Sequence, residues 1–231
     1  PVLEGVLMGL STPVAHFGLS AKGTLVYAPG QAVGGERTVV WVDRQGNAER
    51  LPMPPRMYLH PRLSPDGRQI AVEIEGPVHD FYSYEIARGV LTKMTLTGSS
   101  HWPLWTPDGK RITYRRWISG GFTLWWMPAD RSAEAERLTT IGIMQSGSSW
   151  SPDGKVLAFT QVSSETGADV YLLSIEDPHR KPVPFAQTKF AEGSPKFSPD
   201  GRWIAYTSNE SGRNEIYVQS YPGPGPKIQV S

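Results

Sequence analysis

Three histidines and a glutamate stand at similar points of a repeating pattern: His16, His60, His101 and Glu192, with Gln145 filling the remaining place. Each comes a few residues ahead of a four-residue string, Ser-Pro-Asp-Gly, found at Ser64–Gly67, Ser151–Gly154 and Ser198–Gly201. Thr106–Gly109 is a one-residue variant and Ser20–Gly23 a degraded copy. Imidazoles and a carboxylate brought together suit a divalent ion such as zinc. That convergence needs a shared register, and the registers differ: His16 and His60 lie four residues before the leading turn residue, His101 five. The first expectation is therefore a polar rim whose residues touch a partner; metal at His16, His60, His101 and Glu192 is the alternative.

The other chemically able residues have structural explanations beside the functional ones. Asp66, Asp108, Asp153 and Asp200 recur once per repeat inside the turn, which fits hairpin geometry better than catalysis. Asp80, Asp169 and Glu215, with Thr123 at the remaining place, form a second column that fits local loop bonding. In Arg115–Gly121 two cations adjoin Trp117 on what the pattern places as a loop between strands, a composition common at interfaces. Trp105, Trp125 and Trp126 read as core, and the polar run Asn209–Asn214 suits a binding loop or an ordinary hairpin. There is no Gly-x-Ser-x-Gly elbow, and Gly34-Gly35-Glu36-Arg37 lacks the strand-loop-helix setting of a phosphate loop. With no cysteine in the chain, thiolate metal sites and cysteine nucleophiles are excluded.

The elements that must position these residues follow from the repeat. The leading turn residues lie at 20, 64, 106, 151 and 198, a period of 42–47 residues, close to the ~40–45 of a four-stranded propeller blade. A large apolar residue precedes each turn (Leu19, Leu63, Trp105, Trp150, Phe197). After the four clear copies come Ile70–Val72, Ile112–Tyr114, Leu157–Phe159 and Ile204–Tyr206, short runs in which a small residue separates two large ones. This pattern marks a strand covered on both faces, one of them closely. Third strands are expected at Val39–Val42, Phe81–Tyr84, Leu124–Met127, Val170–Leu173 and Ile216–Gln219. Fourth strands follow at Arg50-Leu51, Thr92–Leu96, Glu136–Thr139, Lys181–Phe185 and Lys227–Val230.

This turn, followed by an Ile-Ala-Tyr-type strand, resembles the WD40-like repeat of TolB-like β-propellers, and the likeness runs through nearly the whole chain. Trp41–Gly46 and Ser198–Tyr206 are also similar to the propeller regions at the C-terminal end of some bacterial membrane-anchored serine/threonine kinases, although no kinase motif is present. The resemblance implies an all-β propeller and binding of a protein partner through the face opposite the turns. It also implies a periplasmic or otherwise extracytoplasmic setting in bacteria. TolB-like propellers have six blades; five repeats are expected here, at about 10–52, 53–97, 98–141, 142–187 and 188–231, forming one domain with residues 1–9 as an additional strand. A missing blade would leave an open ring that a second copy of the chain could complete.

Composition limits the function classes. Glycine and proline (24 and 21 of 231 residues) mark a turn-rich chain, and 39% hydrophobic content supplies a core. A formal net charge of +1 gives no electrostatic case for nucleic acid or an anionic membrane, no apolar run reaches the ~18 residues of a membrane span, and residues 1–10 lack a basic signal-peptide start. The expected function is a non-catalytic module, without cofactor, binding a protein, peptide or small ligand through His60, His101, Arg116, Trp117 and Glu192. The alternative is a metal-dependent hydrolase or lyase.

Overall fold

A computed structural model describes residues 17–19, 25–27, 35–43, 45–140, 144–223 and 225–231. The expected strand at 1–9, the degraded turn at Ser20–Gly23 and His16 lie outside the described residues.

The described residues form twenty strands in five four-stranded antiparallel sheets. The first holds β1 (Phe17–Leu19), β2 (Leu25–Tyr27), β3 (Val40–Val42) and β4 (Ala48–Arg50), the second β5 (Tyr58–Leu63), β6 (Gln69–Ile74), β7 (Asp80–Glu85) and β8 (Val90–Lys93). The third holds β9 (Ser100–Trp105), β10 (Arg111–Ile118), β11 (Gly121–Pro128) and β12 (Glu136–Arg137), the fourth β13 (Met144–Trp150), β14 (Val156–Ser163), β15 (Gly167–Ser174) and β16 (Val183–Ala186). β17 (Glu192–Phe197), β18 (Trp203–Ser208), β19 (Glu215–Ser220) and β20 (Ile228–Gln229) make the fifth. In every sheet the strands are neighbours in chain order, the up-and-down arrangement of a propeller blade. The described residues make five blades.

The recurring turn is held by its serine as much as by its proline, aspartate and glycine. Ser151 Oγ donates to Asp153 Oδ1 at 2.6 Å and accepts from the amide of Val156 at 2.9 Å, while Lys155 N donates to Asp153 Oδ1 at 3.1 Å. Ser64 with Asp66 and Ser198 with Asp200 repeat this pattern, and the threonine of the variant copy reproduces it, Thr106 Oγ1 donating to Asp108 and accepting from Arg111 N. The closing glycines have φ between 69° and 75°, a region in which a side chain is strained. Hydrogen bonds from Ser64, Ser151 and Ser198 hold Asp66, Asp153 and Asp200 below the ordinary carboxylate range, Asp200 at about 2. At Asp108 burial is the largest influence and pushes the value up, but the bonds from Thr106 and Lys110 N and the charges of Lys110 and Arg111 together hold it below the ordinary range. The turn aspartates are structural.

The second strands β6 and β14 are buried on both faces: Ile70, Ala71, Val72, Leu157, Ala158 and Phe159 have no exposed surface. Cα packing divides the chain into two compact units, residues 1–105 and 106–231. In the first, Val39, Leu51, Met53, Tyr58, Ile70, Val72 and Tyr84 form a core, and the indole of Trp105 donates to the carbonyl of Arg62 at 2.9 Å. In the second, Trp150 stacks on Trp126 with ring centres 6.1 Å apart and donates to Thr113 Oγ1, while Val170, Tyr206 and Tyr217 pack together. Trp105 and Trp126 are core residues as expected; Trp125 is only half-buried, with the Arg116 guanidinium 5.0 Å from its ring centre.

The first strand of the blades carries a regular defect. β5 and β17 each shift register against their neighbour, after Leu59 and after Gly193, and His60 and Ser194 sit at the break with φ of 50° and 54°. Trp102 of β9 has the same conformation, with φ of 56°. All three lie four residues before the leading turn residue; in β5 and β17 this position is a bulge, which re-aims the side chains around it.

Candidate functional site

Histidines one residue apart in register lie near one another in the first unit. His60 occupies the bulge of β5 and Trp102 the corresponding position of β9 with the same positive φ, and their rings meet edge-on with centres 5.1 Å apart. His101, one residue earlier on β9, turns its Nδ1 to within 2.8 Å of Glu73 Oε1. His79, just ahead of β7, places its Nδ1 3.2 Å from the same oxygen, and the amide of Trp102 donates to Glu73 Oε2 at 3.3 Å. The two imidazole centres are 4.9 Å apart.

The backbone fixes this approach. His79 N donates to Gly98 O at 3.1 Å and Ser100 N to His79 O at 2.8 Å, which ties the residue before β7 to the entry of β9. Beside it, buried Asp80 accepts from Thr95 Oγ1, Thr97 N and Gly98 N at 2.8, 3.2 and 3.1 Å and pairs with Lys93 at 3.0 Å. The second acidic column thus bonds locally, and at this place it positions His79. Asp169 likewise accepts from Thr166 Oγ1 at 2.5 Å, and Glu215 from Arg213 and Ser231.

Glu73 is the residue at which burial and charge conflict. Burial pushes its carboxyl pKa up, but the hydrogen bond from His101, the charges of His60 and His101 and the hydrogen bond from His79 together hold it at about 2. The group is an anion at neutral pH, so both Nδ1 atoms facing it carry hydrogen when nothing else is bound. Side-chain exposure is 3% for Glu73, 15% for His101 and 33% for His79, leaving an opening on the His79 side. Among the described residues, Glu73, His79 and His101 are the group whose ligand atoms lie close enough together, within 4.8 Å, to share a metal ion.

Of the four ligands expected for a metal, this group contains His101 alone. His60 acts on it through charge, and Glu192 belongs to the second unit, where it is 1% exposed and accepts from Thr188 Oγ1 and Thr188 N. Its burial makes it a clamp for residues 188–192 more than a group presented to a ligand. Gln145 is buried as well, accepting from Thr139 and donating to Gln161 at 2.8 Å. Sequence reasoning missed Glu73 and His79 because their counterparts in the other blades have different chemistry; Arg115, Thr160 and Thr207 stand at the place of Glu73. The available signal was a charge inside the otherwise apolar run Ile70–Ile74.

The Arg115–Gly121 segment is extended strand, not loop. Arg115 to Ile118 pair with Leu124 to Gly121, and only Ser119 and Gly120 make the turn, with φ of 34° and 100°. At its tip Trp117 is 48% exposed and meets Phe122 edge-on at 5.1 Å, while the Arg115 guanidinium lies 4.3 Å from the Phe122 ring centre. Arg116 lies over Trp125 on the opposite face of the hairpin, so each face pairs a cation with an aromatic ring.

No family model matches the chain. It is 30% identical over 142 residues to a protein TolB homolog of Chlorobium luteolum, covering 60% of this chain and 31% of that one. It is 29% identical over 152 residues to the uncharacterized peptidase YuxL of Bacillus subtilis, covering 64% of this chain and 21% of the peptidase. The chain therefore spans about a fifth to a third of the length of these relatives. Among solved structures, TolB from Acinetobacter baumannii superposes with a TM-score of 0.78 at 20% identity, covering 95% of this chain and 54% of TolB. The chain has the TolB-like β-propeller fold.

Proposed function

We propose that this chain is a non-catalytic interaction module that binds a protein or peptide. The observation that carries this reading is the β10–β11 hairpin. An indole 48% exposed, braced by Phe122 and the Arg115 guanidinium, with Arg116 over Trp125 on the other face, offers aromatic and cationic area for a partner to cover. Arg and Trp are the residues that most often supply binding energy at protein interfaces, and the cations favour a segment with acidic and aromatic residues. The TolB-like fold and the likeness to a TolB homolog support a protein partner. Arg116 and Trp117 are the contact residues of the second unit; His60 and His101 are those of the first, and Glu192 contributes by holding its loop. The hydrolase or lyase reading has less support, since the match to a peptidase covers a fifth of that protein.

A selection from a random peptide display library tests the module. The chain is expected to enrich acidic, aromatic-containing peptides, and the R116A/W117A double variant, with unchanged circular dichroism, to lose them. Equal enrichment on both proteins would remove the hairpin from the binding surface.

A further inference from the structure

We propose that Glu73, His79 and His101 bind one divalent transition-metal ion of the zinc class, through Nδ1 of each imidazole and a carboxylate oxygen of Glu73. This site stands independently of partner binding by the β10–β11 hairpin.

The geometry is the first argument. The Nδ1 atoms of His79 and His101 lie 3.2 and 2.8 Å from Glu73 Oε1, and the three ligand atoms fall within 4.8 Å of one another. Ligands at about 2.0–2.1 Å from zinc in a tetrahedron are separated by about 3.3 Å, so small side-chain rotations open the present cluster to accept an ion. Two imidazoles and one carboxylate are a donor set that suits zinc and its first-row neighbours, and three protein ligands leave a position open to water or to a ligand atom.

Positioning is the second argument. Glu73 is fixed by Trp102 N on Oε2, which leaves Oε1 to the histidines, and His79 is fixed by its backbone pairing with Gly98 and Ser100. These bonds are the kind of outer support that orients metal ligands. The partial exposure of His79 gives an entry path to a carboxylate that is otherwise closed off. On binding, each imidazole presents Nδ1 as a lone pair and carries its hydrogen on Nε2. The ion then takes the place of the two hydrogens now directed at Glu73.

Titration of the tag-free chain with Co(II) tests this. One equivalent is expected to bind with the visible absorption of a four- or five-coordinate site, and Zn(II) to displace it stoichiometrically. His79→Ala, at the most exposed of the three positions, should weaken binding at least tenfold, whereas His179→Ala, at an exposed histidine outside the group, should leave it unchanged. X-ray absorption at the zinc edge of the loaded wild-type protein needs no variant and should show two imidazoles. Absence of saturable Co(II) binding, binding unaffected by His79→Ala in a folded protein, or an edge spectrum without imidazole would each overturn the proposal.

Discussion

Ser151→Ala removes the two hydrogen bonds that organise one copy of the turn. Ser151 is buried; its Oγ donates to the Asp153 carboxylate at 2.6 Å and accepts from Val156 N at 2.9 Å. A hydrogen bond to a charged group contributes about 1.5–3 kcal/mol, and a buried amide left without an acceptor costs about 1–3 kcal/mol. Asp153 keeps the bond from Lys155 N and is open to water, so the lower part of the summed range applies, about 3–4 kcal/mol. For a chain of this size each kcal/mol moves the midpoint by about 2–4 °C, giving a fall of about 6–16 °C in thermal unfolding followed by circular dichroism. Ser151→Thr supplies the same oxygen, as Thr106 does in its own turn, and should retain most of the stability. A Ser151→Ala midpoint within about 2 °C of wild type would refute the claim that the hydroxyl organises the turn.

Three further outcomes follow from the same structure. Leu157→Ala, at a position with no exposed surface on a strand covered on both faces, should cost about 2–5 kcal/mol in urea unfolding, and a loss below about 1 kcal/mol would mean that this strand is not packed as described. Gly201→Ala places a Cβ 3.3 Å from Pro152 Cδ at a φ of 71°, and should lower stability by about 1–2 kcal/mol; an unchanged midpoint would contradict the left-handed turn. Acid should destabilise the protein through the turn aspartates. Their folded-state pKa values lie below the ordinary one, so their contribution is present above the ordinary carboxylate value of about 4 and is lost as pH falls through the folded-state values, for Asp200 toward about 2. The D66N/D153N/D200N variant should melt lower at neutral pH and show a shallower acid dependence than wild type, and equal slopes would remove these groups from the acid response.

The blade repeat was legible because it is enforced locally. A tight hairpin needs a left-handed closing residue and a side-chain acceptor, so Asp and Gly recur, and a doubly covered strand needs a large-small-large run such as Leu157-Ala158-Phe159. Those two constraints located the second and third strands of every clear copy. Fourth strands were less well bounded: β12 and β20 hold two residues each, short of the expected spans, since an outer strand is held by few side-chain contacts. The hairpin at Arg115–Gly121 was expected as loop because cations interrupt its pattern, yet Phe122 and Trp125 give those cations a surface to lie on and the strand continues. The histidine cluster was half legible. His60 and His101 recur near the repeat register, but Glu73 and His79 have no like residues at the matching places of the other clear copies, and the left-handed φ of Trp102 beside them is announced by no residue type there.

The functional account rests on the β10–β11 hairpin meeting a partner, and hydrogen–deuterium exchange of the chain with and without a selected peptide reads this directly. The account predicts that binding slows exchange in residues 115–124. Protection elsewhere, with these residues exchanging as in the free chain, would contradict it.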